Sequence, residues 1–167
     1  MKKLMMIAAM VLMSTGAFAQ EAGKMAVGAS LTDYLGSDSR IALGAKFQYC
    51  ITENFRAEAD LKFYPKKYNY TMVNPTLNLH YVIPIIEKLN VYPLAGLGLW
   101  HYSWDYDILG TNYSGSENIF TLKFGAGAEY FITEQFKGFF EAYYQIAKKG
   151  DYKASDPLVS IGAAYCF

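Results

Sequence analysis

Strict alternation of apolar with smaller or polar residues recurs along most of this chain, and no other feature limits its fold as much. The clearest case is the C-terminal run from Pro157 to Phe167. Pro157, Val159, Ile161, Ala163, Tyr165 and Phe167 make one parity, and Leu158, Ser160, Gly162, Ala164 and Cys166 make the other. Successive side chains of a β-strand point to opposite faces, so this run reads as a strand with one face in an apolar medium. A chain that stops there leaves that face to be covered.

The same pattern appears seven times upstream. Met25 to Leu31 alternates with Ala26 to Thr32, and Ile41 to Ile51 with Ala42 to Cys50. In the third segment Phe55, Ala57, Ala59, Leu61 and Phe63 alternate with Arg56, Glu58, Asp60 and Lys62, which puts four charges on one face. Val73 to Ile83, Val91 to Leu99, Phe120 to Ile132 and Phe136 to Ile146 supply the apolar parities of the fourth to seventh segments. Ile51-Thr-Glu-Asn-Phe55 and Ile132-Thr-Glu-Gln-Phe136 read as matching tight turns, and residues 84–88 as a third. Polar stretches at 36–39, 65–69, 103–118 and 148–156 read as loops, the third being the longest. Eight strands joined alternately by long loops and short turns predict an all-β fold, an eight-stranded antiparallel up-and-down transmembrane β-barrel.

Alternation alone fits a soluble barrel with its apolar parity inside. Size decides between them, because an eight-stranded interior holds only its own side chains or one small ligand. The apolar parity has far too many bulky residues for that space, whereas the other parity is rich in glycine. None of the outward positions is Asp, Glu, Lys, Arg or His, although charged residues are 18% of the chain. A basic residue on the lipid face at the bilayer midplane costs about 2 to 4 kcal/mol, and a soluble surface imposes no such penalty.

The inward charges are Lys46, Arg56, Glu58, Asp60, Lys62, Lys123, Glu129, Lys137 and Glu141. Burying any of them unpaired is far too costly, so they are expected to form an ion-paired and hydrogen-bonded lumen network. With Tyr92, Trp100, Phe139 and Tyr143 beside them, little room is left for water. A diffusive pore is therefore not expected.

The N-terminus fits an exported protein. Lys2 and Lys3, the apolar run from Leu4 to Met13 and the Ala17-Phe18-Ala19 site predict a signal peptide over residues 1–19, with the barrel domain over 20–167. Removing the two leader lysines leaves 13 basic against 15 acidic residues, so there is no electrostatic footprint for nucleic acid. Cys50 and Cys166 fall on the second and eighth strands with the first between them. Two strand spacings of about 4.8 Å exceed the Cα separation of a disulfide, which predicts two lumen thiols.

The signal peptide, the repeated turn phrase, Val91-Tyr-Pro-Leu-Ala-Gly-Leu-Gly-Leu99, Phe124-Gly-Ala-Gly-Ala-Glu-Tyr130 and the ending at Ile161, Tyr165 and Phe167 together resemble the OmpA/OmpX-like outer-membrane β-barrel domain family. The resemblance covers all of residues 20–167. It implies a Gram-negative outer membrane with periplasmic termini, lipid and lipopolysaccharide as neighbours, and insertion by the barrel assembly machinery, which reads Ile161, Tyr165 and Phe167 in the last strand. The peptidoglycan-binding domain found in OmpA itself does not follow the barrel here, so small OmpX-like barrels are the nearer comparison. The role implied is structural or surface-interacting, including envelope integrity and adhesion, and not enzymatic.

Two other readings remain open. A narrow channel is one. The other is a lipid A-modifying enzyme, because His101-Tyr102-Ser103 is similar to the catalytic pair of PagL-type lipid A deacylases, with Glu117 as the candidate third member; Trp104 stands where that family has Asn. A rim histidine is the plainer interpretation. His80 reads as an interior histidine, and no Cys/His cluster supports zinc, so neither metal nor cofactor is expected. The aromatics Tyr68, Tyr70, Trp104, Tyr106, Tyr113 and Tyr152 could anchor the barrel in the interface or meet an extracellular partner.

Overall fold

The computed structural model describes residues 21–35, 40–67, 70–108, 111–150 and 152–167. The expected signal peptide over 1–19 lies outside them. Nine strands are found among the described residues: β1 Met25–Tyr34, β2 Ala42–Cys50, β3 Phe55–Lys67, β4 Tyr70–Tyr81, β5 Ile83–Ile86, β6 Leu89–Ile108, β7 Thr111–Phe131, β8 Phe136–Lys149 and β9 Tyr152–Cys166. Chain neighbours pair antiparallel except β4 and β5, β1 pairs with β9, and β4 pairs with β6. The ring so formed is a closed eight-stranded barrel without a free edge. The short β5 carries β4 past Val82 and pairs only with β6, so it adds no stave.

The two parities separate as the alternation predicts. Leu77 and Ile161 are 63% and 61% exposed on the outer wall, whereas Arg56 and Lys62 are fully buried inside. Aromatic rings gather on the outer wall near the short turns, where Phe55 packs on Tyr81 and Phe136 on Tyr165, with ring centroids 5.1 and 6.0 Å apart.

The two turn phrases fold alike. The amide of Ile51 donates to the carbonyl of Phe55 at 2.8 Å, and that of Ile132 to Phe136 at 2.8 Å. Thr52 Oγ1 accepts from the amide of Phe55 at 2.9 Å, and Thr133 Oγ1 from that of Phe136 at 3.0 Å. A threonine hydroxyl thus satisfies an amide that a short turn leaves without a ladder partner, which is why the same letters recur.

The long connections are shorter than the polar composition suggests. Residues 103–118, expected as the longest loop, form a hairpin in which β6 and β7 stay paired from Leu89↔Tyr130 to Ile108↔Thr111. Similarly, β8 and β9 pair as far as Lys149↔Tyr152, with Gly150 at φ +56 in the turn where residues 148–156 were expected to loop. Ser, Asn, Asp and Gly read as loop formers, but each strand had a long partner already in register. Cross-strand pairing then outweighs local preference.

Lumen glycines serve ring packing. Tyr92 on β6 pairs with Gly127 on β7, and a Cβ at Gly127 would lie 2.5 Å from the ring. Phe139 lies across Gly162 in the same way, with an added Cβ again 2.5 Å from it. At these two positions a large ring fits because the residue opposite has no side chain.

Candidate functional site

Two groups of side chains stand out, one inside the barrel and one on its outer rim. Inside, Lys46, Arg56, Glu58, Asp60, Lys62, Lys123, Glu129, Lys137 and Glu141 are each at most 3% exposed. They form a stacked network. Nearest the short turns, Glu129 takes Arg56 at 2.7 Å and Lys137 at 3.0 Å, and accepts from Asn90 at 3.1 Å. Arg56 also donates to His80 Nδ1 at 3.2 Å and lies 4.8 Å above the Tyr92 ring, on which His80 stacks at 4.7 Å.

In the middle tier Lys46 bridges Glu58 at 3.1 Å and Glu141 at 2.8 Å. Gln48 and Asn78 donate to Glu58 at 2.7 and 2.9 Å, and the Tyr92 hydroxyl donates to Glu141 at 3.2 Å. The third tier pairs Lys62 with Asp60, and Lys123 lies 3.8 Å from Asp60 and 3.6 Å from Glu141. Above it, Tyr64, Met72 and Trp100 close the lumen as an apolar cluster with Ala42 and Ala147.

Five cations face four carboxylates in this set. A low-dielectric interior strengthens each contact, and removing one partner leaves the other buried and unpaired. The donor atoms of Glu58, His80 and Glu141 lie within 4.8 Å of one another, close enough for a metal in principle. The ammonium of Lys46 already lies between the two carboxylates, however, so their charge is spent on it. Cys50 and Cys166 are thiols on β2 and β9, with β1 between them.

On the outer rim the structure brings His101 and Ser103 together: Ser103 Oγ lies 3.3 Å from His101 Nε2. It does not bring Glu117 to them. Glu117 pairs with Tyr102 in the ladder, on the opposite face, and forms an ion pair with Lys149. The third member is Asn118, directly opposite His101, with Oδ1 2.7 Å from His101 Nδ1. Asn118 does not stand out in the sequence because residues 103–118 read as a loop; only the register of the hairpin sets it beside His101.

The inner face of the same rim forms a cup of about 430 Å³ lined by Tyr70, Tyr102, Trp104, Glu117, Ile119 and Lys149. The side chains of Tyr68, Tyr106, Tyr113 and Tyr152 lie outside the described residues. At the other end, Ile161, Tyr165 and Phe167 all face outward. Tyr165 stacks on Phe167 at 6.5 Å, and the Phe167 amide donates to the carbonyl of Met25 at 2.9 Å.

The family model for the outer membrane protein beta-barrel domain matches residues 5–167. No curated protein matches the chain. Among solved structures, the N-terminal β-barrel domain of Pseudomonas aeruginosa OprF is similar with a TM-score of 0.62 at 16% identity, covering 89% of this chain and 100% of that one. Neisserial surface protein A is similar with a TM-score of 0.63 at 16% identity, covering 86% and 94%. Yersinia pestis Ail, in complex with the heparin analogue sucrose octasulfate, gives 0.57 at 19% identity, covering 87% and 99%. At these identities the likeness is one of fold.

Proposed function

The chain belongs to the outer-membrane β-barrel domain family, and on that premise we propose that it works as a filled structural barrel with a surface-interacting rim rather than as a pore. The observation that carries this reading is the lumen: its charges are buried in one ionic network and its upper end is closed by Tyr64, Met72 and Trp100. Water has no continuous column there, so ions have no path. The short turns and both chain termini face the periplasm in this reading, and the long β6–β7 hairpin faces outward. Lipid and lipopolysaccharide surround the wall. Ile161, Tyr165 and Phe167 present the last strand to the assembly machinery.

The surface role rests on the aromatic cup at the rim. Tyr70, Tyr102 and Trp104 offer stacking faces, and the Glu117–Lys149 pair offers charge. Tyr and Trp carry a large share of binding energy at recognition surfaces. Ail has been crystallised with a heparin analogue, and Lys66, Lys148 and Lys149 are exposed at the rim of this barrel. A sulfated polysaccharide is therefore the first ligand to test. Cells displaying the wild-type barrel should bind heparin-coated surfaces more strongly than cells displaying a Tyr70→Ser, Trp104→Ser variant; equal binding would refute the surface role.

A further inference from the structure

The outward faces of β6 and β7 are apolar as far as Leu99 and Phe120, and above that they carry a compact polar set. His101 and Ser103 follow Leu99 on one face of β6. Asn118 faces His101 from β7, while Ser116 on β7 and Thr71 on β4 flank Ser103 from its two sides. Lys148 is exposed on β8 opposite Phe120, diagonal to Asn118. We propose that Ser103 and His101, positioned by Asn118, form a nucleophilic pair that hydrolyses acyl esters of anionic lipids at the outer leaflet. The inference goes beyond the structural reading of the lumen and rests only on this wall's facing lipid.

The hydrogen bonds select the needed tautomer. Asn118 Oδ1, 2.7 Å away, accepts from His101 Nδ1–H, which leaves the Nε2 lone pair directed at Ser103 Oγ, 3.3 Å away. That is the arrangement a serine nucleophile requires, with an amide oxygen in the orienting role a carboxylate fills elsewhere. Ser103 Oγ attacks the acyl carbonyl as its proton passes to Nε2. The C–O bond to the headgroup then breaks, and His101 returns the proton to the departing alkoxide. Water, activated by the same nitrogen, hydrolyses the acyl-serine, so ester and water become carboxylic acid and alcohol. Thr71 and Ser116, the cross-strand neighbours of Ser103, are the hydroxyl-bearing residues that would donate to the developing oxyanion. Acyl esters sit where tails meet headgroups, the level at which this wall turns polar, and Lys148 supplies a cation for a lipid phosphate.

The test uses the full barrel folded into vesicles, some of phosphatidylglycerol and others containing lipopolysaccharide, with fatty-acid release read by mass spectrometry. Labelling of Ser103 by a fluorophosphonate is a second readout. Release from either vesicle is expected, the two arms telling glycerolipid from lipid A esters. Ser103→Ala should abolish release and labelling, and His101→Gln should lower both about a hundredfold. Asn118→Leu should lose activity, whereas Asn118→Asp should keep it and move the acid limb of the pH profile upward, which a merely structural asparagine would not do. Glu87→Gln, exposed in the short turn between β5 and β6, should be unchanged. Barrels that run as folded on unboiled gels yet release no fatty acid, or whose release survives Ser103→Ala, would overturn the inference without touching the barrel assignment.

Discussion

Arg56 reaches Glu129 at 2.7 Å from a strand three positions away around the barrel. The contact spans the lumen, so it ties β3 to β7 without any ladder hydrogen bond between them. Lys137 converges on the same carboxylate from β8. Closing the sheet thus completes the network: Arg56 meets Glu129, and Lys46 meets Glu141, only when the barrel is shut.

Glu129→Ala should therefore be among the most damaging single changes in the lumen. It leaves Arg56 and Lys137 buried with their shared partner gone, and breaking a buried pair in this way costs about 3 to 5 kcal/mol. Urea unfolding of the barrel in lipid vesicles, followed by tryptophan fluorescence, should show the midpoint falling accordingly.

Gly127→Val should destabilise by overpacking rather than by loss of a contact. Its side chain would have to displace the Tyr92 ring, which also caps Glu141 and stacks on His80. Such insertions cost about 1 to 3 kcal/mol. The same unfolding assay checks this, and pairing the change with Tyr92→Ala should recover part of the loss.

Thr52→Ala and Thr133→Ala should each cost about 1 kcal/mol, the worth of a turn hydrogen bond. The turns lie in different hairpins and share no partner, so the double variant should lose the sum of the two. Measured unfolding free energies that fail to add would mean the turns are coupled.

Planar bilayers containing the purified barrel should show no stepwise conductance. Substituting Trp100, Tyr64 and Met72 together by serine should open the apolar closure and introduce small current steps. Large steps from the wild-type protein would mean that the lumen is not filled.

Much of this was legible in the sequence because a strand's period is two: once Phe55 to Phe63 faces outward, Arg56 to Lys62 can face only the lumen. The outer wall, the twin turns and the composition of the interior all follow from that parity. The partners within the lumen do not follow, since Arg56 and Glu129 are 73 residues apart and meet only through closure. The rim escaped for a related reason. A shift of one residue in a hairpin moves a side chain to the other face, and the register that pairs Ile108 with Thr111 places Asn118, not Glu117, beside His101. Polar residues above the membrane favour loops locally, and only the long partner strand holds them in the ladder.

The direction of the apolar parity decides whether the wall faces lipid. Nitroxide labels placed singly at Leu77, Phe140 and Ile161 in vesicle-embedded protein report it through collisions with oxygen, which concentrates in lipid, and with a water-soluble nickel complex. All three should relax with oxygen and be shielded from nickel, whereas a label at Lys148 should show the reverse. Nickel access at Leu77, Phe140 and Ile161 would contradict a lipid-facing wall, and with it the outer-membrane barrel described above.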